Sequence, residues 1–380
     1  MVQCPGSKVQ RLHRWAIFAV VLASACNAAL AGGAEDWPCF RGGPEMTGVA
    51  PGGFPSKPKL LWTYEAGSAV ESTAAIVAGK VYVGTEAGEL LALKLSDGAL
   101  MWKFDAAGAI SAAPCVTGGI VYVGDEGGTF YAINADTGTE MWRFQTDGKI
   151  ISSATAAAGA VLFGSYDNTL YCLKADTGDV RWKFEAEAQV HCSPCVADGL
   201  VVIAGCDGKV RVIDLVSGEE KASAEVEANF SASPAYKAGR VYVGSLSGEY
   251  LCVNCDKAEI VWKMGGDELG QCFAGAAVLG DAVVFASRAG TVFCLDRGTG
   301  TSRWAFNTKG KVDSSPVIAG GTVFAGCADG NLYGLDLVSG KEVWRFAAGA
   351  GINASPAVGR GRLVIGTSDG AVYCFGRKKE

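Results

Sequence analysis

Histidine is nearly missing from this chain, with only His13 and His191 in 380 residues. One histidine beyond the N-terminal segment is too few for a convincing Ser/His/Asp relay. Charged residues are sparse as well, 19% against 49% hydrophobic, and prolines number 11 against 53 glycines. That balance excludes disorder and collagen, and describes a core-rich chain with many tight turns. After the first 31 residues no run approaches the roughly 20 consecutive apolar residues of a membrane helix. The chain also has no Cys-Cys dipeptide, no Cys-x-x-Cys-His haem attachment, and no phosphate-binding glycine loop that follows a strand and opens a helix.

Residues 1–31 read as a secretory signal: Lys8, Arg11 and Arg14 precede the apolar run from Trp15 to Ala25, and Ala29-Leu30-Ala31 offers the small-residue cleavage site. Lipid attachment at Cys26 is the weaker alternative, because Leu22-Ala23-Ser24-Ala25-Cys26 only loosely resembles a lipobox, its leucine one place early. Losing Lys8, Arg11 and Arg14 takes the 33 basic residues to 30 against 39 acidic ones, a net charge of −9. An acidic chain without blocks of like charge is not built for nucleic acid.

What the chain does have is a repeat. Tryptophans stand at 62, 102, 142, 182, 262, 304 and 344, and Ala222 occupies the frame that the long interval skips, giving eight positions about 40 residues apart. Within a unit four strand signals follow one another between turn residues, as in Ile110–Val116, Ile120–Gly124, Thr129–Asn134 and Glu140–Phe144. Asp207-Gly208 and Thr137-Gly138 are typical of the intervening corners, so hairpins join the strands. A lone sheet of four short strands cannot bury both faces, and radial stacking of such sheets makes a propeller.

The two ends of the chain complete each other. The last unit has strands near Ile352–Val358, Arg362–Gly366 and Ala371–Phe375, but the sequence stops before its tryptophan strand, whereas Leu60–Tyr64 is a tryptophan strand with no inner strands before it. Docking the first onto the last closes an all-β, eight-bladed ring of four-stranded antiparallel blades and removes two open edges. The expected organisation is a signal at 1–31, a leader segment at 32–59, the propeller at 60–376 and a tail at 377–380.

The units resemble the pyrroloquinoline-quinone-type (PQQ-like) propeller repeat, whose docking pattern reads Ala-x-Asp-x-x-Thr-Gly-x-x-x-Trp. Here it stands as Ala132-Ile133-Asn134-Ala135-Asp136-Thr137-Gly138-Thr139-Glu140-Met141-Trp142 and again at 334–344. The resemblance implies that Trp62, Trp102, Trp142, Trp182, Trp262, Trp304 and Trp344 are structural wedges, each stacking on the glycine corner of the next blade. It implies either of two functions: catalysis with the quinone and Ca²⁺ on the axis, as in quinoprotein dehydrogenases, or cofactor-free scaffolding, as in outer-membrane protein assembly factor B. Eight units use almost all of the chain after the signal and leave no room for the long insertions of the dehydrogenases. Asp36-Trp37-Pro38-Cys39-Phe40-Arg41-Gly42 is similar to a leader that precedes such propellers in exported proteins, and packing of Trp37, Phe40 and Arg41 over the closing blade is expected.

Cysteine is the one unusual abundance, 14 in all. Cys172, Cys252, Cys294 and Cys374 share the repeat slot of Ala92 and Ala132, and Cys206 and Cys327 are read into the slot of Thr85, Ser165 and Thr367, so small volume rather than sulfur chemistry is the expected reason for them. Cys252 and Cys255 have Cys-x-x-Cys spacing without a βαβ context. The candidate metal ligands are His191, Cys192, Cys195 and Cys206. His191-Cys192-Ser193-Pro194-Cys195 begins the inner strand of the fourth unit, and pairing about Asp198 brings Cys192 roughly opposite Cys206, which leaves a metal, a disulfide or inert packing open. The slot of His191 recurs as Glu71, Ser111, Ile151, Ser231, Cys272, Asp313 and Asn353, a mixed ring expected at one end of the axial channel.

The expected function is that of an exported, non-catalytic scaffold binding a protein or envelope component. The alternative is a small PQQ- or metal-dependent oxidoreductase acting on the axis. No catalytic residue and no bound cofactor is assigned from the sequence.

Overall fold

A computed structural model describes residues 33–266 and 269–378. The expected signal, its cleavage site and Cys26 lie outside the described residues. Among those residues no helix is long and apolar enough to cross a membrane.

Eight separate four-stranded antiparallel sheets make up the molecule. In the first blade the strands, from inside outwards, are Ala75–Val77, Lys80–Gly84, Glu89–Lys94 and Leu100–Asp105. The closing blade combines Ala357–Gly359, Arg362–Gly366 and Ala371–Gly376 with Lys59–Glu65 from the other end of the chain. Trp62 pairs with Cys374 and Thr63 with Tyr373, so the ring closes in the expected way. The innermost strands are shorter than the sequence suggests. That of the second blade begins only at Cys115, and that of the last at Ala357, because the residues before them approach the axis and bond to neighbouring blades instead.

Seven of the eight outer strands carry a tryptophan to the next blade. The indole N–H of Trp102 donates to the Ala135 carbonyl at 3.2 Å and that of Trp304 to Leu337 at 2.9 Å. At Gly138, where φ is +73°, a Cβ would stand 2.7 Å from the Trp102 ring, so the corner needs glycine both for its backbone and for the close approach.

Register explains the cysteine slot. Cys172, Cys252, Cys294, Cys374, Ala92, Ala132 and Gly334 each pair directly with a tryptophan. A small residue on the third strand leaves room for the indole on the fourth. The fourth blade inverts all three rules: Ala222 replaces the tryptophan, Val212 faces it, and the corner it would dock on is Ala258 rather than glycine. Volume lost at one position is returned at its neighbours.

Candidate functional site

The free edges of the eight innermost strands face the axis, and the leader winds around one end of the channel to meet them in blade order. The Glu35 carbonyl accepts from Arg360 N–H in the closing blade, Trp37 exchanges two bonds with Ile76 in the first, and Pro38 accepts from Val116 in the second. Beyond a single 3₁₀ turn, Phe40–Gly42, the carbonyls of Pro44, Glu45, Thr47 and Gly48 accept from Val196, Tyr236, Val278 and Ile318 in the fourth to seventh blades. Trp37 is fully buried, and Asp36 pairs with Arg360. The expectation that Trp37, Phe40 and Arg41 cover the closing blade holds for Trp37 and is corrected for Phe40 and Arg41. Trp37 packs between the closing and first blades, Phe40 against the core cluster that the fourth to sixth blades share, and Arg41 reaches the sixth, where its guanidinium donates to Ala276 O at 2.6 Å.

Deeper in the channel a belt of hydroxyls ties blade to blade. Ala113 N–H donates to Ser153 Oγ, Ser153 N–H to Ser193 Oγ, Ser193 N–H to Ser233 Oγ, Gly275 N–H to Ser315 Oγ and Ser315 N–H to Ser355 Oγ, all at 2.9 Å, and Ser355 N–H reaches Thr73 Oγ1 at 3.2 Å. The two positions without a hydroxyl are Ala113 and Gly275.

At the opposite mouth lies the mixed ring read from the sequence, with one correction. The sixth-blade member is Phe273, not Cys272. Cys272 is fully buried, with its sulfur where a Cβ on Gly244 would be, as Ile110 lies under Gly84 and Ile352 under Gly326. A longer loop before this blade shifts its frame by two residues, and the tryptophan interval of 42 was the signal that could have shown it.

Ser111, His191 and Asp313 are engaged by a second ring, on the turns after the second strands, that the sequence reading missed, while Glu71 and Asn353 bond to each other. Asn353 Nδ2 donates to Glu71 Oε1 at 3.0 Å, across the ring closure. Ser111 Oγ lies 3.1 Å from Glu86 Oε1 and 2.8 Å from Glu126 Oε1. His191 Nδ1 lies 2.6 Å from the Tyr166 hydroxyl. Arg288 grips Asp313 through two bonds of 2.7 and 3.1 Å, while its guanidinium covers the Phe273 ring at 3.6 Å. Partial burial, reinforced by Glu71 and Glu126, raises the Glu86 carboxyl above its usual range despite the Ser111 bond. Lys149, 2.6 Å from Glu126, draws the Glu126 carboxyl down. Burial lowers the basicity of His191. The mouth is thus divided into an acidic arc at the first two blades and an arginine–aspartate clamp at the sixth and seventh.

The four candidate metal ligands do not converge. An extended run from 191 to 195 spans about 13 Å, so His191 sits at the mouth, whereas Cys195 Sγ meets the leader at Glu45 O, 3.3 Å away. Cys192 takes a serine's place: its sulfur accepts from Ala204 N–H at 3.2 Å, as Ser152 Oγ accepts from Gly164 N–H at 3.0 Å. Cys206 belongs to the outer turn slot of Glu86, Glu126 and Tyr166, one residue beyond the slot first assigned to it, and its thiol faces Phe230 O at 3.4 Å. All twelve cysteines of the described residues are free thiols, and among those residues no group of three or more metal-ligating side chains converges. Burial holds the Cys192 thiol at about 12, so it remains protonated and unreactive.

Comparison with solved structures places these features on a shared fold. BamB from Moraxella catarrhalis superposes with a TM-score of 0.73 at 20% identity, over 85% of this chain and 98% of that one. Quinohemoprotein alcohol dehydrogenase from Comamonas testosteroni superposes with a TM-score of 0.78 at 14% identity, over 91% and 81%. The computationally designed Ika8 protein gives 0.76 at 19% identity, over 84% and 100%. No curated protein matches the sequence significantly. The family model described as outer membrane protein assembly factor BamB matches residues 56–160, 148–221 and 266–379, most of the chain, and the protein belongs to that PQQ-like propeller family.

Proposed function

We propose that this protein is an exported scaffold whose outer blade edges bind a protein or cell-envelope component. The observation that carries the reading is a run of exposed apolar side chains on the outer strands of four consecutive blades. These are Leu60 (45% exposed) in the closing blade, Leu100 (48%) and Met101 (47%) in the first, Met141 (50%) in the second and Val180 (41%) in the third. An outer strand offers unpaired backbone groups, so an extended segment can add to it through main-chain bonds while the apolar side chains supply contact area. Membership of the BamB family supports a protein partner, and the character of residues 1–31 supports export.

Photo-crosslinking in envelope extracts tests this. A crosslinker at position 141 should capture a discrete product that one at 342, on the seventh blade, does not, and Met101→Glu with Val180→Lys should abolish it without changing the melting temperature. Equal labelling from both positions would overturn the reading.

The second reading, an oxidoreductase on the axis, draws on the likeness to an alcohol dehydrogenase and on the carboxylates of the mouth. Those carboxylates do not fit a calcium–quinone centre as they stand, because Glu71, Glu86 and Glu126 are engaged by Asn353, Ser111 and Lys149. Dye-linked alcohol or sugar oxidation that requires added quinone and calcium would favour it.

A further inference from the structure

Arg41 is 1% exposed, held on a left-handed backbone with φ of 61°. One of its nitrogens, Nη2, donates to Ala276 O. The other two, Nε and Nη1, are buried without a hydrogen-bond partner among the described residues. Burial is the sole cause that pulls its guanidinium down to about 9, with no carboxylate acting in the opposite sense. A cation taken out of water without a counter-charge is among the least stable arrangements a protein interior can hold, and arginine stays charged at neutral pH even so.

The hydroxyl belt shows what is missing. In six blades a serine or threonine side chain enters this level of the channel, and in five of the interblade bonds it accepts the amide of the preceding blade at 2.9 Å. At the sixth blade the residue is Gly275, and a Cβ there would lie 3.4 Å from Arg41 Nε, 3.4 Å from the Ser233 carbonyl oxygen and 3.6 Å from Arg41 Cδ. Arg41 therefore enters the channel where the belt has lost its acceptor. Ser233, whose counterpart Ser193 donates to the next hydroxyl, has no hydroxyl at 275 to donate to. Arg41 Nε and the Ser233 amide are left beside a position from which a hydroxyl acceptor has been removed, and Nη1 of the same guanidinium is buried without a partner among the described residues. A water supplies an acceptor but no charge, whereas a small anion supplies both.

The geometry points to a buried anion site at the sixth blade: a monovalent ion of halide size held by Arg41 and the Ser233 amide in the place of a serine hydroxyl. The ion neutralises the guanidinium and locks the leader to the blade, so its effect appears as stability of the folded chain.

The experiment compares the melting temperature of the full chain in sodium chloride and in sodium gluconate at equal ionic strength, gluconate being too large for the site. The midpoint should rise with chloride concentration relative to gluconate. Gly275→Ser, whose hydroxyl restores the acceptor on a backbone that is not left-handed at this position, should fold and lose the difference between the salts. Crystals grown in bromide should show an anomalous peak between Arg41 and Gly275. Identical melting of the unaltered chain in both salts, a salt difference that persists in Gly275→Ser, or water alone at the position would each overturn the proposal.

Discussion

The indole N–H of Trp62 donates to the carbonyl of Leu95 at 2.9 Å, so the first tryptophan of the chain, paired to the last strand, also fastens the closing blade to the first. Ring closure and interblade docking meet in this one side chain, which is 8% exposed. Trp62→Ala should lower the unfolding free energy by about 3–5 kcal/mol, the usual cost of deleting a buried aromatic. Trp142→Ala should cost somewhat less, since Trp142 is only partly buried and its bond to Ala175 O is longer, 3.3 Å. Denaturant titration measures both, and a loss under about 0.5 kcal/mol, typical of surface sites, would refute the wedge role.

Blade number, strand order and closure were legible because they depend on local signals that recur: a tryptophan every forty residues, glycine corners, and complementary ends. The channel was less legible, because side chains forty residues apart meet there and a shift of one or two positions changes which way each points. The frame slipped at Cys272 and again at Cys206, next to a loop of altered length in one case and a glycine-cysteine turn in the other. The leader's path was hidden for another reason. Its bonds are made by backbone carbonyls, which leave no trace in residue type, and only Trp37 and Arg41 marked it.

The fourth blade offers a packing test. Ala222→Trp alone must place an indole against Val212 and the Ala258 corner, where the equivalent glycines leave no room for a Cβ. It should destabilise by about 1–3 kcal/mol, the range for overpacking. Adding Val212→Ala and Ala258→Gly should recover at least about 1 kcal/mol beyond the sum of the separate effects, as expected for neighbours that share one volume. Strict additivity across the series would show that the three positions do not form a unit.

His191 sets a pH dependence. Burial lowers its pKa below the ordinary histidine value of about 6.5, so the unfolded chain takes up a proton at higher pH than the folded one. The contribution to stability is full above the unfolded value, falls as pH drops through about 6.5, and levels off below the folded pKa. Unfolding free energies measured from neutral pH into the acid range should show that slope, and His191→Gln, which keeps an acceptor for Tyr166, should remove it. If the slope persists unchanged in His191→Gln, another group is responsible.

Trp37 and Trp62 separate burial from hydrogen bonding. Both indoles are buried, but that of Trp37 has no partner for its N–H among the described residues, whereas that of Trp62 reaches Leu95. Replacing Trp62 by Phe deletes a made bond and strands a carbonyl, with an expected cost of about 1–3 kcal/mol in addition to the lost area. Replacing Trp37 by Phe deletes an N–H that burial already penalises, so part of the lost area is offset and the net cost should be smaller. Paired denaturant titrations of the two phenylalanine variants decide it. A larger loss at Trp37 would mean that its N–H has an acceptor, such as an ordered water held between the leader and the first blade, and that the leader is fastened there by a polar bond as well as by packing.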